Sequence, residues 1–364
     1  MAKAKKSDGP TANDQLVSFL KSHKDDHYNF EDTIHWKSSQ GSLALDLHVG
    51  KITPGIIRHT GVARGGKTSQ FLEDVRNFLK TVPNSRALWV LAEGRLGEKM
   101  RQRSGLKFTS DPEEWEDGSV FILESQVYET VFDLIRELIK NNPENKRYFF
   151  VIDSSNGLKR KDDLNKVTSE AQQVAGGALL TSDFMSRVSL AMSKRGHVLG
   201  IIGQVRTKIK VDKYEKGTPT LSNASGGSAQ DHYPTIFLEY QPRYKKDLIG
   251  DEKDPAGHWC RVKVIKTDNE KTMEVSYPIK YNKRDGEGSV WVEYEIADLL
   301  IQWEMVEKKG AWLSFSNELI KELREVMDIE DDFKIQGVEK LMNWLEENTP
   351  AKEYLYEKFI NLIS

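Results

Sequence analysis

The chain has a single cysteine, Cys260, so no internal disulfide can form, and a reducing compartment is the expected setting. No apolar run approaches the roughly 18 residues that a membrane-spanning helix needs, so no role inside a membrane is expected. The start, MAKAKKSDGP, is basic but has no apolar segment of the kind a secretory signal carries, and it reads as a disordered arm. A cytoplasmic location follows as the expectation. Neither sign of charge prevails: 53 Lys and Arg stand against 56 Asp and Glu, for a net charge of −3. Any affinity for a polyanion must therefore come from a local basic surface. Internal repeats are absent as well. What remains is a 364-residue chain, 38% hydrophobic and 30% charged, which fits a globular protein of about two domains with a sizeable core. Cys260 lies in an apolar-alternating run, where a small buried residue is a better description than a nucleophile.

The most specific feature is Gly61-Val62-Ala63-Arg64-Gly65-Gly66-Lys67-Thr68, which matches G-x-x-x-x-G-K-[ST] at every fixed position. Ile56-Ile57 lead into it, and Phe71, Leu72, Val75 and Leu79 follow at helical spacing. A strand, a Gly-rich turn and a helix in that order aim backbone N–H groups and a helix N-terminus at an anion. Gly61, Arg64, Gly65, Gly66, Lys67, Thr68 and Ser69 are thus the candidate nucleotide-binding residues. Lys67 would hold the β- and γ-phosphates, and the Thr68 hydroxyl would sit on Mg²⁺.

Strand and helix patterns alternate from Trp36 to about Tyr244. Apolar runs at 87–91, 120–123, 148–152 and 198–202 read as strands. Val131, Leu134, Ile135, Leu138 and Ile139 mark a helix, and a second runs from about Ala178 to Lys194. The alternation predicts an α/β fold with a doubly wound, mostly parallel sheet and helices on both faces. Functional groups then gather at the carboxyl ends of strands, where Glu93, Asp153 and Gln204 fall. Asp153 could reach the hydration shell of Mg²⁺. Glu93 could orient or activate a water. Gln204 could sense the γ-phosphate.

Periodicity disappears between Val205 and Tyr233, where Arg206, Lys208, Lys210, Lys213 and Lys216 are interleaved with Ile209, Val211, Tyr214 and Leu221. A structureless stretch of this length is functional or disordered. Cations mixed with apolar side chains suit single-stranded nucleic acid; a solvated charged face is the other reading. Before the core, Leu16, Val17, Phe19 and Leu20 predict a short helix, and Tyr28 to Ile34 an extended segment. Ile236–Tyr240, Arg261–Lys266 and Glu274–Ile279 continue the sheet. The expected division is a 1–35 arm, a 36–310 core and a small helical 311–364 domain. Its three helices are marked by Leu319 to Met327, Val338 to Leu345, and Tyr354 to Ile363.

From about Ser38 to Ser314 this order resembles the RecA family of DNA strand-exchange recombinases. Gly41-Ser42-Leu43-Ala44-Leu45-Asp46 is similar to the segment before that family's phosphate loop. Gln204-Val205-Arg206-Thr207-Lys208-Ile209 resembles the start of its second DNA-binding loop, and Gly226-Gly227-Ser228-Ala229 the end. Arg261-Val262-Lys263-Val264-Ile265-Lys266 resembles the strand whose lysine reaches a neighbour's ATP. Gly310-Ala311-Trp312 resembles the junction to the C-terminal domain. The resemblance implies ATP and Mg²⁺ as cofactors, with Lys67, Glu93 and Gln204 in catalysis. Lys266 would contact nucleotide across an interface. Arg206, Lys208, Ile209, Lys210, Gly226 and Gly227 would touch DNA. It further implies a helical filament on single-stranded DNA, pairing with homologous double-stranded DNA, and an N-terminal segment around Tyr28 to Ile34 packed onto a neighbour. Met100 stands where the family has an adenine-stacking tyrosine, and Asp268 where it has a second interface lysine, for which Lys271 could substitute. The aromatic after the second loop aligns near His232-Tyr233. Such divergence fits a member carried by a phage or other mobile element. A hexameric helicase on the same core, and an accessory ATP-binding regulator with little DNA affinity, are the rival expectations.

Overall fold

A computed structural model describes residues 11–24, 26–94, 96–164, 175–204, 206–207, 221–222, 229–268 and 272–363. Helix α1 (Ala12–Ser22) precedes α2 (Leu43–His48), β1 (Gly55–Gly61), α3 (Lys67–Thr81), β2 (Ser85–Leu91), α4 (Glu98–Ser104), β3 (Lys107–Thr109), β4 (Ser119–Glu124), α5 (Tyr128–Lys140) and β5 (Arg147–Asp153). Then come α6 (Lys161–Leu164), α7 (Ala175–Arg195), β6 (Val198–Gln204), β7 (Arg206–Thr207), β8 (Leu221–Ser222), α8 (Ala229–His232), β9 (Ile236–Tyr240), β10 (Leu248–Gly250), β11 (Pro255–Lys266) and β12 (Met273–Lys280). The chain closes with α9 (Val292–Gln302), β13 (Val306–Lys309), β14 (Trp312–Phe315), α10 (Asn317–Leu323), β15 (Lys334–Gln336), α11 (Gly337–Glu347) and α12 (Thr349–Leu362).

The main sheet has ten strands in the order β10-β11-β9-β1-β6-β5-β2-β4-β3, with β12 paired to β11. Strands β9 through β3 run parallel, and β10, β11 and β12 add an antiparallel flank. The central strands are buried on both faces because helices cover each side. Ile57, Trp89, Phe149 and Val151 pack under Phe71, Val75 and Phe78 of α3. Ile56, Leu88, Phe150 and Ile201 pack under Val131 and Ile135 of α5 and Met185 and Val188 of α7. This is the doubly wound α/β core that the alternating pattern predicts.

Residues 28–36, where an extended segment is expected, run without helix or strand along the end of α7 of their own chain: Ile34 N–H donates to the Lys194 carbonyl at 3.0 Å, and Arg195 pairs with Glu31 at 2.9 Å. Apolar side chains stay exposed both here, where Phe30 is 56% exposed, and on α1, where Leu16 and Phe19 are 57% and 59% exposed. Three expectations are corrected. The stretch after Gln204 is not wholly irregular, since β7 and β8 pair as an antiparallel ladder and α8 follows. The tail is not all helix. Strands β13, β14 and β15 form a three-stranded sheet, and α10 ends at Leu323, leaving Val326 and Met327 outside it. Finally, α9, a helix the pattern reading does not include, shares one buried cluster with the tail: Ile296 and Leu300 pack with Leu319, Leu341, Leu355 and Phe359.

Candidate nucleotide site

Strand β1 delivers the chain to the phosphate loop at Gly61. A side chain there is excluded on two counts: φ is +137°, and a Cβ would lie 2.3 Å from the Tyr240 carbonyl on β9. Gly66, at φ +105°, turns the chain into α3. Arg64, exposed at the tip, also takes a left-handed conformation, with φ 62°. The floor of the loop is Cys260, whose thiol donates to the Gly65 carbonyl at 3.2 Å. Burial pushes that thiol up to about 12, so it is a packing residue and no nucleophile.

Helix α3 opens without a side-chain cap and without an acidic residue in its first turn. Thr11, Ser42 and Ser316 cap α1, α2 and α10, whereas α4, α5, α9, α11 and α12 open, like α3, without a side-chain cap. The N–H groups opening α3 thus meet no capping side chain of the kind that competes for them elsewhere in the chain. Lys67 Nζ folds back onto the loop, donating to the Gly61 and Val62 carbonyls at 2.9 and 2.6 Å. Burial lowers its pKa to about 8, against the pull of Asp153. Thr68 Oγ1 donates to Asp153 Oδ2 at 3.2 Å, and burial raises Asp153 to about 6. A phosphate chain fits this uncapped, cationic cradle. A hydroxyl and a carboxylate meeting at one point also fit a hard cation. Ser69 is half-buried on the first turn of α3.

At the neighbouring strand ends, Gln204 Nε2 donates to Glu93 Oε2 at 2.5 Å. Several contacts fix this pair. Asn156 Oδ1 accepts from Gln204 N–H at 2.8 Å, and the Ala92 and Glu93 N–H groups both reach the Asp153 carbonyl, at 2.9 and 3.4 Å. Gly157 must lack a side chain, because a Cβ would come within 2.4 Å of Glu93 Cγ. The structure therefore joins Thr68 to Asp153 and Gln204 to Glu93, two pairs linked through the Asp153 carbonyl, while Lys67 rests on the loop carbonyls within reach of the Asp153 charge. Lys266 lies apart from both; its Nζ donates to the His232 carbonyl at 2.6 Å. Met100 is half-buried against the core beneath α3, and Tyr233 against the opposite cluster. Only the backbone of Arg206 is described. Lys208, Ile209, Lys210, Gly226, Gly227 and Lys271 lie outside the described residues. Pattern reasoning missed Asn156 and Gly157 as supports, and the local Ser-Asn-Gly turn after Asp153 was the available signal.

A strand, an uncapped helix and a Gly-rich loop over a doubly wound sheet define a phosphate-loop nucleotide-binding protein. No protein-family model matches the chain. Curated relatives do: Protein RecA of Campylobacter fetus is 26% identical over 293 residues, covering 79% of this chain and 76% of that protein. Protein RecA of Oleidesulfovibrio alaskensis is 26% identical over 326 residues, covering 88% and 81%. Protein RecA of Bacillus thuringiensis is 28% identical over 325 residues, covering 86% and 81%. These relatives, all named Protein RecA and 26–28% identical over 79–88% of this chain, support its reading as a divergent member of the RecA family.

Proposed function

We propose that this protein is a DNA-dependent ATPase that assembles as a helical filament on single-stranded DNA and promotes pairing and strand exchange with homologous double-stranded DNA. The observation that carries the reading is the Glu93–Gln204 contact. It joins a carboxylate suited to handling water with the residue that opens the basic 205–230 stretch. Bound ATP·Mg²⁺ would supply a γ-phosphoryl group whose transfer to water releases free energy. Gly61, Arg64, Gly65, Gly66, Lys67, Thr68 and Ser69 would hold the phosphates, and Thr68 with Asp153 the metal. Lys67 would exchange its two loop carbonyls for phosphate oxygens. Glu93 would orient the attacking water and accept its proton, and Gln204 would report nucleotide to the residues after it by giving up or keeping its bond to Glu93. Arg206, Lys208, Ile209, Lys210, Gly226 and Gly227 are proposed to contact DNA. Lys266 is proposed to serve the ATP of a neighbouring subunit. The exposed apolar face of α1 supports self-assembly, because such a face on a monomer is normally covered by a partner. A non-closing head-to-tail contact generates a filament. The division into a 1–35 arm, a 36–310 core and a 311–364 domain is retained as part of this proposal, with α9 packing on the tail. Action in the cytoplasm belongs to the same reading.

The test is fluorescence anisotropy with a labelled oligonucleotide, with and without ATP, followed by imaging of the complex. Nucleotide-dependent binding and open filaments are expected. Closed rings with unwinding and no strand exchange would point to a helicase. No DNA binding in either condition would point to an accessory protein.

A further inference from the structure

Strand β1 carries a charge where a buried parallel strand ordinarily has none. Arg58 is 1% exposed and lies between β6 and β9, level with Ile201 and Phe237. It is on the face covered by α7, because its neighbours Ile57 and His59 point the other way, His59 stacking on Phe71 at 4.0 Å. A guanidinium in such a place must find an anion. Arg58 Nη1 pairs with the Asp231 carboxylate on α8, and the guanidinium lies 4.7 Å from the centre of the Phe237 ring. Its Nε meets no acceptor, and among the described residues Asp231 is the carboxylate paired with this charge. Space comes from Gly203, whose Cβ would stand 3.2 Å from Thr60 Cγ2 and 4.0 Å from Arg58 Nη2.

The placement is what matters. The chain leaves the sheet at Gln204, next to Gly203, and rejoins it at Ile236. Asp231 lies on the returning limb. Arg58 therefore sits beside the outgoing strand and grips the incoming limb, from the strand that ends at Gly61 of the phosphate loop. Lys266 holds the same limb from the other side, through the His232 carbonyl.

We infer that Arg58 is a positioning residue that pins the returning limb of the 205–230 stretch to the phosphate-loop strand, so that nucleotide and DNA binding are coupled through the Arg58–Asp231 pair. The inference rests on the recombinase reading above. It adds a second connection to the one through Gln204. The Gln204 contact acts at the start of the stretch, and Arg58 acts at its end.

The experiment uses the full chain and a labelled oligonucleotide, measuring DNA affinity with and without a non-hydrolysable ATP analogue. The ratio of the two affinities is the coupling, which for linked sites is typically about 5–150-fold. Arg58→Met with Asp231→Leu removes both charges together, which avoids orphaning either one and is often neutral for folding. We expect this variant to bind the analogue without DNA as the wild type does, while the ratio falls toward one. The reversed pair, Arg58→Glu with Asp231→Lys, should restore much of it. Hydrogen exchange over 198–204 and 229–240 should rise in the apolar variant and recover in the reversed pair. An apolar variant with a wild-type ratio and wild-type exchange would show that the pair is only a packing feature and overturn the inference. If the wild type itself shows no nucleotide-dependent ratio, the recombinase reading falls and the coupling with it, while the exchange data still report whether Arg58 holds the limb.

Discussion

Glu93 can be tested by a single atom change. Its carboxylate is held by Gln204 and backed by Gly157, so Glu93→Gln preserves shape while removing the ability to take a proton. The expected outcome is retained ATP-dependent DNA binding with hydrolysis reduced on the order of 10²-fold or more, the range seen for loss of a general base. Steady-state turnover and anisotropy on the same preparation check it. Loss of DNA binding with normal turnover would remove Glu93 from the water-handling role. A different carboxylate governs stability. Glu295 on α9 accepts from Ser42 Oγ at 2.5 Å and from the Leu43 and Ala44 N–H groups at 3.0 and 3.2 Å, which fastens the helix to the start of α2. Burial raises it to about 7, and Asp46 adds to the rise. A carboxyl whose folded pKa is raised holds its proton better in the folded state. Its favourable effect is complete below its unfolded value, about 4.3, and is lost as pH climbs through about 7. Glu295→Gln should therefore cost more stability at pH 5 than at pH 8. The gap should narrow by up to about 3 kcal/mol, the equivalent of that shift. Comparing the two proteins cancels the opposite trend of His59, His197 and His258, whose pKa values burial lowers. Denaturant unfolding at the two pH values decides it; an equal cost at both would mean that Glu295 is ionised throughout.

Among the elements, the phosphate loop and the strand ends were legible in the sequence because their signals are local. A Gly pattern bounded by a strand and a helix needs no knowledge of the rest of the fold, and a buried strand announces its own end. Asp153 and Gln204 accordingly close β5 and β6, and Glu93 lies just beyond β2. The elements that escaped depend on distant partners. Strands β13, β14 and β15 are three or four residues long, too short for alternation to register, and exist because each pairs with the next. Arg58 was overlooked for a similar reason: its counter-ion is 173 residues away. The hint was a charge in the middle of a run that otherwise reads as buried. The 205–230 stretch carries its own prediction. Net charge is −3, so DNA affinity must be local. Each phosphate neutralised on a single strand contributes a slope of about −0.7 in log K against log salt. Arg206→Ala with Lys208→Ala should weaken DNA binding at low salt and flatten the slope by roughly 1 to 1.5 units, with ATP binding in the absence of DNA little changed. An unchanged slope across a salt titration would mean that neither cation meets a phosphate.

For the whole molecule, the question is whether one chain holds a complete ATPase site. Within the chain, Thr68 bonds Asp153, Lys67 rests on the loop carbonyls, and Glu93 bonds Gln204, but Lys266 is turned to the His232 carbonyl and takes no part in those contacts. Its placement on β11, at the antiparallel flank of the sheet, leaves it exposed. If it completes a neighbour's site, two separate lesions should complement each other. Lys67→Ala removes the cation from the loop of its own site and leaves Lys266 intact for the next subunit. Lys266→Ala does the reverse. Each protein alone should fold normally and lose ATP turnover, the first more severely. In a mixed assembly, an interface that pairs a wild-type Lys67 with a wild-type Lys266 arises wherever a Lys266→Ala subunit offers its loop to a Lys67→Ala neighbour. Turnover in the mixture should therefore exceed the sum of the separate activities and peak at intermediate ratios, and DNA should be required because it brings subunits into register. ATPase measurements across a mixing series, with co-assembly verified by differently labelled subunits on one strand, provide the check. Recovery would place the catalytic unit at the contact between two chains, and would give the exposed face of α1 and the flank carrying Lys266 a common purpose. Purely additive activity at every ratio, in assemblies shown to be mixed, would mean that each chain works alone, and the filament would then serve DNA binding without building the active site.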